Sequence, residues 1–541
     1  MSQGMTKFLI VVIMQVLTVF WFVVDKILMA TLLLLRLSDA AKRVKWRKPQ
    51  RIDSGEYPET ESVTLACDDH GNAFAMSDQR DNICARRFTE ATGWGAAEVI
   101  DVMDATNEVT STSRGTRRYP YISCDIQGNA LAAWHEELGY NEDIGLWAET
   151  WINRYTTSNG WSKAERFAHT PGEKCPVNIV GDAQGRAMAV WFHNSNGHSM
   201  ILCKRYVPET GWSEATTVTE GDRLIHTLKL IGDRQGRYFI FWDWQEDKSG
   251  TGKYTYEGVV PVYACYYSTG NGWSVASKIA EDVLYDKVDR FVPAVDDHGN
   301  VIVVWAHQVY MPGNDRADIW AVRYDAITGW DKARVIEPGI ECRSGNQSNS
   351  TRPRIAFDAA GNAIVVWQQD RDHQNGGIWS NRYTVNVGWG EAMPITRSNY
   401  DQAWPQIITT ATGNAIAVWT QRSGIGASIY TPGEGWSAPE RIHSDSRGML
   451  GYAPRMTIDA SGIVTVAWYH EDTFFGSIGA KMYIPGKGWG AATTIARVAP
   501  TYPQSPHLAI NSNGIVHIIW QQRDSKTNKV YFWTSHRVPT P

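Results

Sequence analysis

Acidic and imidazole side chains recur just after a tryptophan: His135-Glu136-Glu137, His193, Asp243 with Glu246-Asp247, His307, and His470-Glu471-Asp472. Such residues could ligate a metal or furnish the paired carboxylates of glycoside hydrolysis, which needs two carboxyl groups within about 5–10 Å. Yet the second position after the tryptophan is polar in nearly every copy, as Glu136, His193, Gln369, Gln421, His470 and Gln522. A polar type repeated at a strand end is first of all a scaffold feature. The sequence holds no nucleophile elbow, phosphate-binding glycine loop or His-Glu-x-x-His zinc motif. Its 7 cysteines are odd in number and lack Cys-x-x-Cys spacing. Neither a disulfide framework nor a zinc site is expected. Cys84, Cys203, Cys265, Cys67 and Cys124 read instead as small buried residues. No catalytic residue, metal ligand or cofactor is assigned.

A second set is partly cationic. Four residues before a recurrent Asp-like position stand Thr64, Tyr121, Asn178, Lys229, Val292, Arg354, Gln406, Arg455 and His507, while the next position is almost uniformly apolar. Alternation along a strand sends the two sets opposite ways. If these strands line a channel, Lys229, Arg354, Arg455 and His507 rim it, where converging cations suit a carboxylate or phosphate ligand.

What positions both sets is a repeat. Glycines at 71, 128, 185, 236, 299, 361, 413, 462 and 514 each open an apolar run that closes on a tryptophan, except in the first copy, where Met76 takes its place. The sixth copy reads Pro353-Arg-Ile-Ala-Phe-Asp, then Gly361-Asn-Ala-Ile-Val-Val-Trp367, then Ile378-Trp-Ser-Asn-Arg-Tyr383, then Gly388-Trp389-Gly and Ile395. Short alternating segments punctuated by Gly, Asn and Asp predict four antiparallel strands per copy, a to d. The a-to-b turn keeps three residues from Asp to Gly, and the c-to-d turn keeps five from the aromatic to the next Gly. The b-to-c connection varies: Trp134 to Tyr155, Trp242 to Tyr267, Trp419 to Tyr430. In a radial array the constant turns share one face and the variable loops the other, which is where binding residues are sought.

The ninth copy stops short of a fourth strand. Lys45-Trp46-Arg47-Lys48-Pro49-Gln50-Arg51-Ile52 matches Gly435-Trp436-Ser437-Ala438-Pro439-Glu440-Arg441-Ile442 at Trp, Pro, Arg and Ile. The N-terminal strand is therefore expected to complete the last sheet and close a ring.

From residue 45 onward the chain resembles the β-propellers, and more narrowly the bacterial sialidase-like and lectin-like propellers with Gly413-Asn-Ala-Ile-Ala-Val-Trp419 and Gly-Trp-Ser/Gly repeats. The resemblance implies an all-β closed ring of about nine four-stranded blades, more than the usual four to eight. It implies no particular activity. A sialidase-type enzyme would add a Ser-x-Asp-x-Gly-x-Thr-Trp box, and none is present. Propeller lectins use aromatic platforms. The strictly repeated Gly-Trp tryptophans fit packing between blades better. Loop-face candidates are the repeat-breaking Trp147, Trp151, Trp244, Tyr310 and Trp404, with Glu136, Glu137, His470, Glu471 and Asp472.

Residues 1–44 differ in kind. Phe8 to Val24 is apolar or weakly polar, Asp25-Lys26 follows, and Ile27 to Leu35 is apolar again. This predicts one N-terminal transmembrane helix within residues 8–35, ahead of a propeller domain at 45–541. A cleaved signal peptide with Ser38-Asp-Ala40 as its site is the alternative. Asp25 and Lys26 would pair with another membrane helix if embedded, or lie at the interface. Lys42, Arg43, Lys45, Arg47, Lys48 and Arg51 favour a cytoplasmic ring. The resemblance favours export from a bacterial membrane, and the reading leans that way. A formal net charge of −5 gives no reason to expect nucleic acid. The expected function is a membrane-anchored scaffold binding a protein or glycan through its loop face. A lectin, an accessory subunit of a membrane complex, a sialidase-like hydrolase or a pilin-like filament subunit remain as alternatives. The last of these is opposed by Leu9, which stands where such helices carry Glu.

Overall fold

The computed structural model describes residues 46–537, apart from 54–61, 80–81, 103–119, 142–144, 172–176, 245–258, 285–290, 310–315, 338–348, 371–376, 398–401, 445–453, 472–475, 499–505, 524–528 and a few single positions. The expected helix at 8–35, with Asp25 and Lys26, lies outside these residues. Among those described, no helix is long and apolar enough to cross a membrane.

Residues 48–536 form one compact unit. It is all-β: nine blades, each a four-stranded antiparallel sheet ordered a-b-c-d. In blade 6, strand a is Asn349–Phe357, b is Ala363–Asp370 and c is Gly377–Thr384. Strand d is split into Gly388–Trp389 and Met393–Pro394, both paired to c.

The constant a-to-b turn is an Asp-capped hairpin. Asp358 Oδ1 accepts the backbone N–H groups of Ala360 (3.0 Å) and Asn362 (2.9 Å), and the Asn362 side chain donates to both carboxylate oxygens. The Gly361 N–H closes the turn on the Asp358 carbonyl at 3.0 Å. Gly361 has φ +78°, a left-handed conformation open to Gly at little steric cost. The constant c-to-d turn is held by rings. Tyr383 and Trp389 meet edge to face at 5.6 Å, and Tyr430 with Trp436 repeats the pair at 5.5 Å. The indole N–H of Trp436 donates to Ser380 Oγ of the preceding blade at 2.8 Å, and Trp273 does the same to Cys203 Sγ at 3.3 Å. These tryptophans and small strand-c residues therefore belong to blade packing, as their repetition predicts. No disulfide joins the five described cysteines.

Successive a strands touch, and the ninth, His507–Ile510, touches the first, Val63–Cys67. The a edges thus encircle an axis. Strand b alternates its faces: Trp367, Val365 and Ala363 pack toward blade 5, and Val366 and Ile364 toward blade 7. Both faces of each sheet are buried, so Ala363 to Trp367 of strand b are apolar without alternation.

The ring closes as expected. Gln50–Arg51 pairs antiparallel with Val530–Arg537, and the Ile52 N–H donates to the Phe532 carbonyl at 3.0 Å, just as Ile395 donates to Ile378 in blade 6. Buried Asp53 pins this clasp: it pairs with Arg51, and its Oδ2 accepts the Phe532 N–H at 2.8 Å. One expectation needs correction. Thr64 pairs with Met76 as Arg354 pairs with Val366, so Ser77, not Met76, occupies the tryptophan's place in blade 1. The apolar run there ends one residue early, which hides the true register.

Candidate functional site

Antiparallel order places the start of every a strand and the end of every b strand on the variable-loop face. In blade 2, strands Ala130–Asn141 and Gly145–Thr156 each have 12 residues, against 7 for Ala415–Gln421 in blade 7. Five extra residues raise that hairpin by about 16 Å.

The cationic positions fall on the inner strands. Arg354, Gln406, Arg455 and His507 occupy equivalent sites on four consecutive blades, 6 to 9, and form one arc at the loop-side end of the channel. Arg455 and His507 are exposed. The imidazole of His507 is held below its usual pKa, first by desolvation in the channel and then by the adjacent Arg455 guanidinium. Lys229 stands apart on blade 4, where its ammonium donates to the Phe291 carbonyl of blade 5 at 2.7 Å. Three of the four sequence candidates therefore share one arc, and Lys229 ties two blades together.

Two residues missed as a pair lie beside the arc. Arg352 and Trp404 occupy matching places on blades 6 and 7, with φ of 55° and 56°. Positive φ is rare for bulky side chains and costs about 1–3 kcal/mol. The Arg352 guanidinium lies 3.8 Å over the Trp404 ring and donates to Gln368 Oε1 at 3.2 Å. Both residues sit at a register shift in strand a and precede a proline, Pro353 and Pro405. The matched Arg-Pro and Trp-Pro dipeptides are the sequence signal.

The remaining loop-face candidates divide. Trp151 is 1 % exposed in the core between blades 1 and 2, directly cross-strand from Trp134, so it packs rather than faces solvent. Glu136 is buried directly opposite Glu149, which pairs with Arg166 at 3.3 Å. Trp244 is half-buried, edge to face with Tyr263 at 5.3 Å, in a nook whose Arg223 donates to the Tyr263 hydroxyl at 3.1 Å. His470 lines a cavity between blades 7 and 8. The side chains of Glu137, Trp147 and Glu471, and the whole of Tyr310 and Asp472, lie outside the described residues. Among the described residues no three His, Cys, Asp or Glu side chains converge as a metal site would require.

No family model matches the sequence, and neither does any curated protein. Solved structures are similar at low identity. A protein of unknown function from Dyadobacter fermentans shares 10 % identity, covering 59 % of this chain and 95 % of its own, at TM-score 0.34. A eukaryotic initiation factor shares 9 % over 83 % and 91 %, at 0.45. An ulvan lyase, a polysaccharide lyase, shares 8 % over 90 % and 93 %, at 0.38.

Proposed function

We propose that this chain is a propeller scaffold, carried on a bacterial membrane by residues 8–35, that binds an anionic glycan or an acidic protein across its variable-loop face. The observation that carries the reading is the arc of Arg354, Gln406, Arg455 and His507 on four successive inner strands. Elsewhere the equivalent sites are mostly uncharged: Thr64, Tyr121, Asn178 and Val292. On this side of the ring the two permanent cations Arg354 and Arg455, with Gln406 and the neutral His507 beside them, attract and orient an anion, and the attraction weakens with salt. The strained Arg352–Trp404 pair beside the arc presents a cation and an aromatic edge together, a combination that suits sugars and acidic peptides alike.

The test uses the full chain purified from its own membrane in mild detergent, analysed for co-purifying subunits and then screened against a glycan array. Bound species should be acidic, and the Arg354→Gln/Arg455→Gln chain should bind them at least tenfold more weakly. Undiminished binding by that double variant, or binding indifferent to salt, would overturn the reading. Turnover of a glycoside in the same assay would point to a hydrolase instead.

A further inference from the structure

A second, off-axis site opens between blades 7 and 8. On the blade 8 face that meets blade 7, sheet register sets two rows of side chains across strands b, c and d: Trp468, Gly479 and Thr494, and beside them His470, Ser477 and Arg497. The middle member of each row is small. At the place of Gly479, four other blades carry Trp151, Tyr263, Trp320 or Trp379 opposite their own strand-b tryptophan, while blade 3 has Leu202 and blade 7 has Gly426. A Cβ on Gly479 would stand 2.7 Å from the Trp468 indole, so the indole itself takes the space that a side chain at 479 would need. From blade 7, the His443 ring covers Trp468 at 4.9 Å and meets His470 at 5.0 Å. The result is a cavity of about 300 Å³ lined by these residues together with Thr493.

We propose that this cavity binds a single acidic pyranose, a sugar ring bearing a carboxylate. The volume sits at the small end of ligand pockets, roughly 300–1,000 Å³, and holds one ring rather than a chain. The half-buried His443 and His470 rings wall the cavity, with the buried Trp468 indole behind them. Ser477 and Thr494 supply hydroxyls for the sugar's hydroxyl groups, and the exposed Arg497 fork at the mouth matches a carboxylate in two-point geometry. No acidic side chain lines the cavity, so nothing there repels the anion. The site deepens the loop-face reading, because His470, Ser477 and Arg497 stand at the loop-side ends of their strands.

Saturation-transfer difference NMR and calorimetry on the full chain in detergent, with methyl β-D-glucuronide as probe and methyl β-D-glucoside as neutral control, test it. The glucuronide should give ring-proton enhancements and bind at least tenfold more tightly than the glucoside. Arg497→Gln, an exposed change that leaves the core intact, should remove at least tenfold of that affinity, and Gly479→Val should abolish it by pushing the Trp468 indole into the cavity. Should Gly479→Val fail to fold, His470→Ala serves in its place, with a loss of at least fivefold. Equal binding of both sugars, or glucuronide binding indifferent to Arg497→Gln, would overturn the assignment. A chain that ignores the glucuronide yet still captures its acidic partner would overturn this site and leave the scaffold reading standing.

Discussion

Replacing His517 with leucine should make the ring less sensitive to acid. His517 stands in strand b of blade 9 and faces blade 1, fully buried, with no hydrogen-bond partner for either ring nitrogen. Its neighbours are the Phe88 ring at 4.5 Å, Trp94 at 5.6 Å and His536 at 5.7 Å. Burial, and secondarily His536, depresses its pKa to about 3, against about 6.5 in an unfolded chain. The folded pKa lies below the unfolded one, so the neutral ring's contribution is present above pH 6.5 and is lost as pH falls toward 3. Linkage gives a loss of ~2 kcal/mol at pH 5 relative to pH 7.5. Unfolding entropy of ~2.1 cal/mol/K per residue over residues 48–536 totals roughly 1 kcal/mol/K, so the melting temperature should drop by about 2 °C from this residue alone. Leucine fits, because seven of the eight equivalent residues, Phe74, Leu131, Met188, Phe239, Ile302, Ile364 and Ile416, are apolar, Thr465 being the eighth. The assay is a thermal melt of wild type and His517→Leu at pH 7.5, 6 and 5. Carboxylate effects common to both proteins cancel in the difference, which should widen by about 2 °C toward pH 5 in favour of the variant. A difference that stays constant with pH would refute the argument that His517 is neutral and dry.

Asp53→Ala should loosen the clasp by about 2 kcal/mol, since it orphans the Phe532 N–H and removes the ion pair with Arg51; faster cleavage near residue 53 by added protease would report it. Asn381→Ala should cost about 2 kcal/mol, because its amide spans the Ile336 carbonyl of blade 5 (2.6 Å) and the Gly390 carbonyl of blade 6 (3.1 Å); the denaturant midpoint measures this. Gly361→Ala should destabilise by about 1–2 kcal/mol through its φ of +78°, again read from the midpoint.

The ring was legible in the sequence because its regularities are local: an Asp cap three residues from a glycine, an aromatic five residues before Gly-Trp, and alternation in between. The closing strand was legible for the same reason, since Pro49, Arg51 and Ile52 keep the spacing of Pro439, Arg441 and Ile442. The sites were harder to read. Trp151 looked like a break in the repeat, yet it is one of several strand-c rings packed against a strand-b tryptophan, a pattern visible only once the register is known. His443 and Arg497 come from strand d, whose position after the Gly-Trp turn shifts at a bulge in blades 7 and 8, so no fixed spacing marks them. The Arg352–Trp404 stack depends on backbone angles that composition does not encode.

The clasp also imposes an order in time. Residues 50–51 leave the ribosome ahead of their partner strand, Val530–Arg537, which is made some 480 residues later. At about 5–20 residues per second that interval is roughly half a minute to a minute and a half. Throughout it, residues 50–51 have no mate and blade 1 presents a bare flank where blade 9 will dock. The ring is thus a fold that can be finished only once Val530–Arg537 has been made, and the cell must keep the strand at residues 50–51 unspent until then.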